Sequence, residues 1–171
     1  CITSINISSL LYFNFTSKNS LKTIKKIEIA CEKVGFFQIT GHGISKNNIE
    51  NTCFVGKKFF TLPKKNKIKL SPNKWNVKNK NKYRGYFPND VNGKEGLDIV
   101  DLKVSRKYAL KIKNKYIEHL DLKKNLDKKS IKILSNYFDK IFSLGECLFK
   151  GIVKLHKKDT KITKEAFSRL K

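Results

Sequence analysis

Apolar positions recur at helical spacing through Leu21, Ile24, Ile27, Cys31 and Val34, with Lys and Glu between them, so one stripe of an amphipathic helix is predicted to face a core. Ser17-Lys18-Asn19-Ser20 supplies the capping residues ahead of it, and Gly35 stops it by taking a left-handed C′ position. Short strands are predicted near residues 2–7, where apolar and polar residues alternate, and 36–40, which is aromatic and β-branched. Gly41 and Gly43 close the second strand with two positions open to positive φ, and Ser45 is placed to cap a helix from Lys46 to about Thr61. That helix is expected to bury Ile49, Cys53 and either Phe59 or Phe60. Pro63 can open a further short helix through Ile68 and Leu70. Residues 71–82 turn to Lys, Asn and Pro around Trp75, a loop composition, and the alternation over 97–102 predicts a third strand.

The longest pattern lies near the C-terminal end. Ile131, Leu134, Phe138, Ile141, Gly145, Leu148, Ile152 and Leu155 follow a 3-4 alternation, predicting one helix from Ser130 to about His156 with a continuous apolar seam. Tyr137, Phe142 and Phe149 widen that face beyond a coiled-coil stripe, which favours a core helix packed under a sheet. Thr163 is placed to cap a last short helix over 164–167. The expected class is α+β, with helices outweighing short strands.

Four motifs occur in order: Gly35-Phe36-Phe37-Gln38-Ile39 with His42-Gly43-Ile44; Lys58-Phe59-Phe60-Thr61-Leu62-Pro63; Tyr83-Arg84-Gly85-Tyr86-Phe87-Pro88; and Lys94-Glu95-Gly96-Leu97-Asp98-Ile99. Together they resemble the N-terminal region of the non-haem iron, 2-oxoglutarate-dependent dioxygenases, the superfamily that includes isopenicillin N synthase. The resemblance implies a division into residues 1–102, the dioxygenase N-terminal domain, and 103–171, a connector and long supporting helix. In the family these precede a double-stranded β-helix (jelly-roll) core, which the resemblance implies is absent from this chain. The intact enzyme would use Fe(II) and 2-oxoglutarate, bound by residues outside this chain, to hydroxylate, desaturate or cyclise a small organic substrate, and this part would shape substrate access. Taken alone, the piece is expected to be inactive.

Tyr83, Arg84 and Tyr86 are the candidate substrate-binding residues. A guanidinium flanked by two aromatic rings and a flexible Gly can grip a carboxylate or stack on a ring, and in some members of the family the corresponding loop touches substrate. His119-Leu120-Asp121 has the spacing of the family's His-x-Asp iron motif, with His156 as a conceivable third ligand. It is read as a decoy, an ordinary pair of solvated polar residues at a helix start. In the family this motif follows the long helix, whereas His119 precedes it here, and no Arg-x-Ser for the 2-oxoglutarate carboxylate follows His156.

Composition changes the picture only at the margins. The 171 residues are 39% hydrophobic and 11% aromatic, enough to build a core. The formal charge is +24, but only Arg84, Arg106 and Arg169 are arginines. Lys spread over nearly every segment, beside many Asn and Ile, argues for compositional bias and against specific nucleic-acid recognition, although non-specific polyanion binding is expected at such a charge. The alternative to an oxygenase piece is a truncated or decayed non-catalytic module with a basic, polyanion-binding surface. The four cysteines have no C-x-x-C pair and are expected to act as reduced, small apolar residues. The sequence offers no signal peptide and no run long enough to span a membrane, so a cytoplasmic location is the expectation. It contains no Met and opens on Cys1, which is expected of a piece of a longer product.

Overall fold

The computed structural model describes residues 2–88, 93–111 and 118–155. Helices dominate it and the strands are three residues each, an α+β arrangement. Two compact units emerge, one from residues 1–44 with 140–171 and one from residues 45–139.

In the first unit, β1 (Ser4–Asn6) pairs in parallel with β2 (Gln38–Thr40), with Ile5 opposite Ile39. The crossover is α1 (Lys18–Lys33), capped by Ser17, whose Oγ accepts from the Ser20 N–H at 3.1 Å. Gly35, at φ +86°, ends the helix as expected and donates its N–H to the Ala30 carbonyl at 3.1 Å. The buried stripe differs from the predicted one: it runs through Ser20, Ile24, Ile27 and Ala30, while Leu21, Cys31 and Val34 are exposed. Leu21 lies about 100° around the helix from Ser20, and the packed face stops at Ala30. A polar residue occupies a core position because the Ser20 hydroxyl donates to the Ser9 carbonyl at 2.7 Å, so burial costs it no hydrogen bond. Ile5, Ile7, Leu10, Ile24, Ile27, Ala30 and Cys147 form this core.

The second unit contains α2 (Lys46–Phe60), α3 (Lys64–Lys67), the antiparallel pair β3 (Gly85–Phe87) and β4 (Gly96–Asp98), and α4 (Arg106–Lys111). Ser45 caps α2 as predicted, accepting from the Asn48 N–H at 3.3 Å. Of the residues predicted to be buried on α2, Phe59 is buried; the packed face otherwise runs through Val55, with Ile49 half-buried and Cys53 exposed. Thr52 lies on that face with its hydroxyl on the Asn48 carbonyl at 2.8 Å, and this internal satisfaction hides the face from an apolar count. Of the three cysteines described, only Cys147 is buried, so the expectation of small apolar cysteines fails for Cys31 and Cys53. β4 is shorter than the predicted 97–102, pairing only with the three residues of β3, and beyond it the Asp101 carboxylate accepts the Lys103 N–H at 2.9 Å and turns the chain.

The long helix α5 (Lys128–Leu155) starts earlier than predicted, with Asp127 accepting the Ser130 N–H at 2.8 Å. Its apolar seam is not continuously covered: Leu134 is buried in the second unit and Cys147 in the first, whereas Ile141 between them is 42% exposed. His156, Thr163 and the predicted helix over 164–167 lie outside the described residues.

Candidate functional site

Three of the four motifs meet in the second unit. Phe59 packs edge-on against Tyr86 with ring centroids 6.2 Å apart, and against Phe60 at 5.3 Å. Lys67 is 5% exposed, and its Nζ donates to the Phe60 carbonyl and to Glu95 Oε2, both at 2.7 Å. The same Glu95 oxygen accepts the Tyr86 hydroxyl at 2.6 Å, and the Lys67 ammonium stands 5.3 Å from the Tyr86 ring centroid. A buried ammonium is tolerable only with such partners. The Lys67 hydrogen bond, followed by that from Tyr86, holds the Glu95 carboxyl below the ordinary glutamate range.

Gly85 makes this closure possible. At φ +125°, a Cβ built on it would lie 2.0 Å from the Leu70 carbonyl oxygen, so any side chain would force two backbones apart. Glu118 fixes the residues just before it. Only 9% exposed, its carboxylate accepts the backbone N–H groups of Lys82 (2.6 Å), Tyr83 (3.1 Å) and Arg84 (2.8 Å). Three donors on one carboxylate lock the turn that leads into β3.

The structure therefore separates the three candidate binding residues. Tyr86 is 2% exposed, faces the core and carries the Glu95 contact, so it supports the strand from beneath. Tyr83 is 42% exposed. The Arg84 side chain is 43% exposed and stands 3.8 Å from Asp98 Oδ2, across the hairpin pair Gly85 and Asp98. That separation is an ion pair beyond hydrogen-bond range, from a half-exposed side chain on a backbone that Glu118 holds still. Sequence reasoning missed Lys67 and Glu118. One lysine among many and a lone glutamate beside a tempting His carry no local signal that either side chain turns inward.

His119 and Asp121 have separate occupations. His119 Nδ1 lies 2.8 Å from the Val104 carbonyl, and Asp121 accepts the Lys123 N–H at 3.0 Å. His119 is half-buried and its carbonyl accepts from Asn81 Nδ2 at 2.9 Å, so it is pinned, not solvated as expected. Among the described residues no group of three or more His, Cys, Asp or Glu side chains could hold a metal ion. No described helix is long and apolar enough to cross a membrane.

Comparison with known proteins agrees with this construction. The family described as "non-haem dioxygenase in morphine synthesis N-terminal" matches residues 2–133. A 2-oxoglutarate-dependent dioxygenase, tropC, of Talaromyces stipitatus is 36% identical over 87 residues, covering 51% of this chain and 26% of that protein. A homoarginine-6-hydroxylase of Arabidopsis thaliana is 37% identical over 78 residues, or 44% of this chain and 20% of its own length. A 1-aminocyclopropane-1-carboxylate oxidase of Dictyostelium discoideum is 42% identical over 65 residues, or 38% of this chain and 17% of that enzyme. The matched stretch thus spans about a quarter or less of these curated relatives. With the family matched over residues 2–133 and three of the four motifs meeting in the unit that holds Lys67 and Glu95, the chain belongs to the N-terminal region of the non-haem, 2-oxoglutarate-dependent dioxygenase superfamily.

Proposed function

We propose that this chain is the N-terminal part of an Fe(II)- and 2-oxoglutarate-dependent oxygenase that hydroxylates, desaturates or cyclises a small organic substrate in the cytoplasm. The match over residues 2–133, with relatives named as 2-oxoglutarate-dependent dioxygenases, carries this reading. Residues 1–102 would form the N-terminal domain and 103–171 the connector and long helix leading into a double-stranded β-helix. The two-stranded parallel sheet of β1 and β2 supports that continuation, since parallel strands are ordinarily found inside larger, covered sheets. Fe(II) and 2-oxoglutarate would be held by residues outside this chain and supply the oxidising chemistry.

The role assigned to the present residues is substrate access. Arg84, with Tyr83 beside it and Tyr86 holding the strand below, would receive a carboxylate of the substrate. One relative is named for 1-aminocyclopropane-1-carboxylate, itself a carboxylate. The test is succinate formation from 2-oxoglutarate by the product of the complete reading frame. Fe(II)-dependent succinate is expected from that product and none from the 171-residue chain. Turnover by the chain alone, or an inert complete product, would overturn the reading.

A further inference from the structure

Arg84 stands between two fixed points of the second unit. Downstream, Gly85 passes so close to the Leu70 carbonyl that no Cβ fits, and the Tyr86 hydroxyl is anchored on Glu95. Upstream, the backbone is held by residues 118 and 119. The Glu118 carboxylate divides its oxygens among three consecutive donors, Oε1 on the Lys82 N–H at 2.6 Å and Oε2 on the N–H groups of Tyr83 at 3.1 Å and Arg84 at 2.8 Å. The His119 carbonyl accepts from Asn81 Nδ2 at 2.9 Å, and the Asn81 carbonyl in turn accepts the Asn73 N–H at 2.8 Å. Residues 81–84 are therefore tied to one short segment that lies 34–38 residues further along the chain.

Consecutive N–H groups that converge on one point make a concave anion site, and an ionised carboxylate at its focus is a stronger acceptor than any neutral group. Glu118 is only 9% exposed, so little water competes for these bonds. The backbone of 82–84 is fixed, and with it the direction in which the Arg84 Cβ leaves the chain. Only the side-chain torsions stay open. A guanidinium that projects from a fixed root has less freedom to lose when it closes on a carboxylate, and the difference appears as affinity.

We infer that Glu118 is a positioning residue for the substrate carboxylate, acting through Arg84 by holding the backbone from which the guanidinium projects. The inference rests on the proposed reading of Arg84 as the receiver of that carboxylate, and it adds a residue that lies outside the Tyr83-Arg84-Gly85-Tyr86 motif.

The test uses the isotope-labelled 171-residue chain. Amide hydrogen exchange at residues 82–84 reports the lock, and titration with benzoate, followed at the Arg84 Nε–H, reports the guanidinium; that signal is one of only three from arginine side chains in the sequence. Benzamide has the same ring without the charge and should leave the signal in place, whereas benzoate should shift it saturably in the parent chain. Glu118→Gln keeps the shape but offers one accepting oxygen and turns an amide N–H toward the backbone donors. Exchange at 82–84 should then rise about tenfold or more, while Val55 and Phe59 of α2 stay protected. Benzoate affinity should fall about three- to tenfold. If that variant loses α2 protection, Glu118→Asp, which keeps the charge and draws it back by one methylene, takes its place with the same expectations. The absence of an Arg84 shift in the parent would sink the Arg84 reading and this inference with it. Unchanged benzoate affinity beside faster exchange at 82–84 would overturn this inference and leave the Arg84 reading standing, as would unchanged exchange. Loss of α2 protection in both variants would make Glu118 a requirement of the fold itself and overturn the inference as well.

Discussion

The Tyr86 hydroxyl donates to Glu95 Oε2 at 2.6 Å, joining β3 to the segment that leads into β4. Tyr86→Phe removes the donor and leaves the ring's packing against Phe59 intact. Glu95 keeps Lys67 and partial access to water, so the expected loss of stability is about 1–2 kcal/mol, near the lower end for a hydrogen bond to a charged acceptor. Urea unfolding of the two chains measures it.

Glu95 also sets an acid limit on the fold. Its carboxyl titrates lower in the folded chain than in the unfolded one, so on acidification the unfolded state takes up this proton first. The contribution is present above the unfolded value of about pH 4.3 and is lost as pH falls through the depressed folded value. Glu95→Gln should therefore flatten the fall in urea midpoint below about pH 4.3, in comparison with the parent.

Lys67→Met tests the other half of the contact. It leaves Glu95 without its cation and the Phe60 carbonyl without its donor. Breaking a fully buried pair costs about 3–5 kcal/mol, and the partial exposure of Glu95 lowers the expectation to about 2–3 kcal/mol. The double variant Lys67→Met with Glu95→Gln should recover part of that loss, which thermal or urea unfolding would show.

Two glycines should respond oppositely to alanine. Gly85→Ala drives a Cβ into the Leu70 carbonyl at positive φ, and about 3 kcal/mol or more should be lost, enough to leave little folded chain. Gly56 lies inside α2 with nothing within 4 Å of its Cβ position. Gly56→Ala should raise stability by about 0.5–1 kcal/mol through helix propensity. Melting curves of the pair compare the two sites directly.

Much of the fold was legible because it rests on local chemistry. Ser17, Gly35 and Ser45 act at helix ends through their own backbone neighbours, and the loop over 71–82 follows from its Asn and Lys content. The buried faces were less legible. Ile24, Ile27 and Phe59 were read correctly, but Ser20 and Thr52 sit on packed faces with their hydroxyls satisfied by nearby carbonyls, so an apolar count takes Leu21 and Cys53 in their place. At the candidate binding residues the alternation of the strand was the missing signal: Tyr83 stands exposed and Arg84 half-buried just ahead of β3, while Tyr86 alternates inward. Lys67 and Glu118 were illegible, because their inward turns depend on Glu95 and on backbone donors that are far from them in sequence.

Arg84→Lys in the complete enzyme keeps the charge and loses the paired donor geometry. If Arg84 receives a substrate carboxylate, kcat/KM should fall by about 1–3 kcal/mol with 2-oxoglutarate affinity and melting temperature unchanged. Because its ion pair with Asp98 is long and exposed, stability should hardly respond. Unaltered kinetics in a folded enzyme would remove Arg84 from the site.

The most direct measurement is to read the coding sequence beyond Lys171. The account predicts an open frame that continues into a His-x-Asp, a distal His and an Arg-x-Ser, the donors for iron and for the 2-oxoglutarate carboxylate. A stop codon immediately after Lys171 would contradict it and leave a non-catalytic basic module in its place.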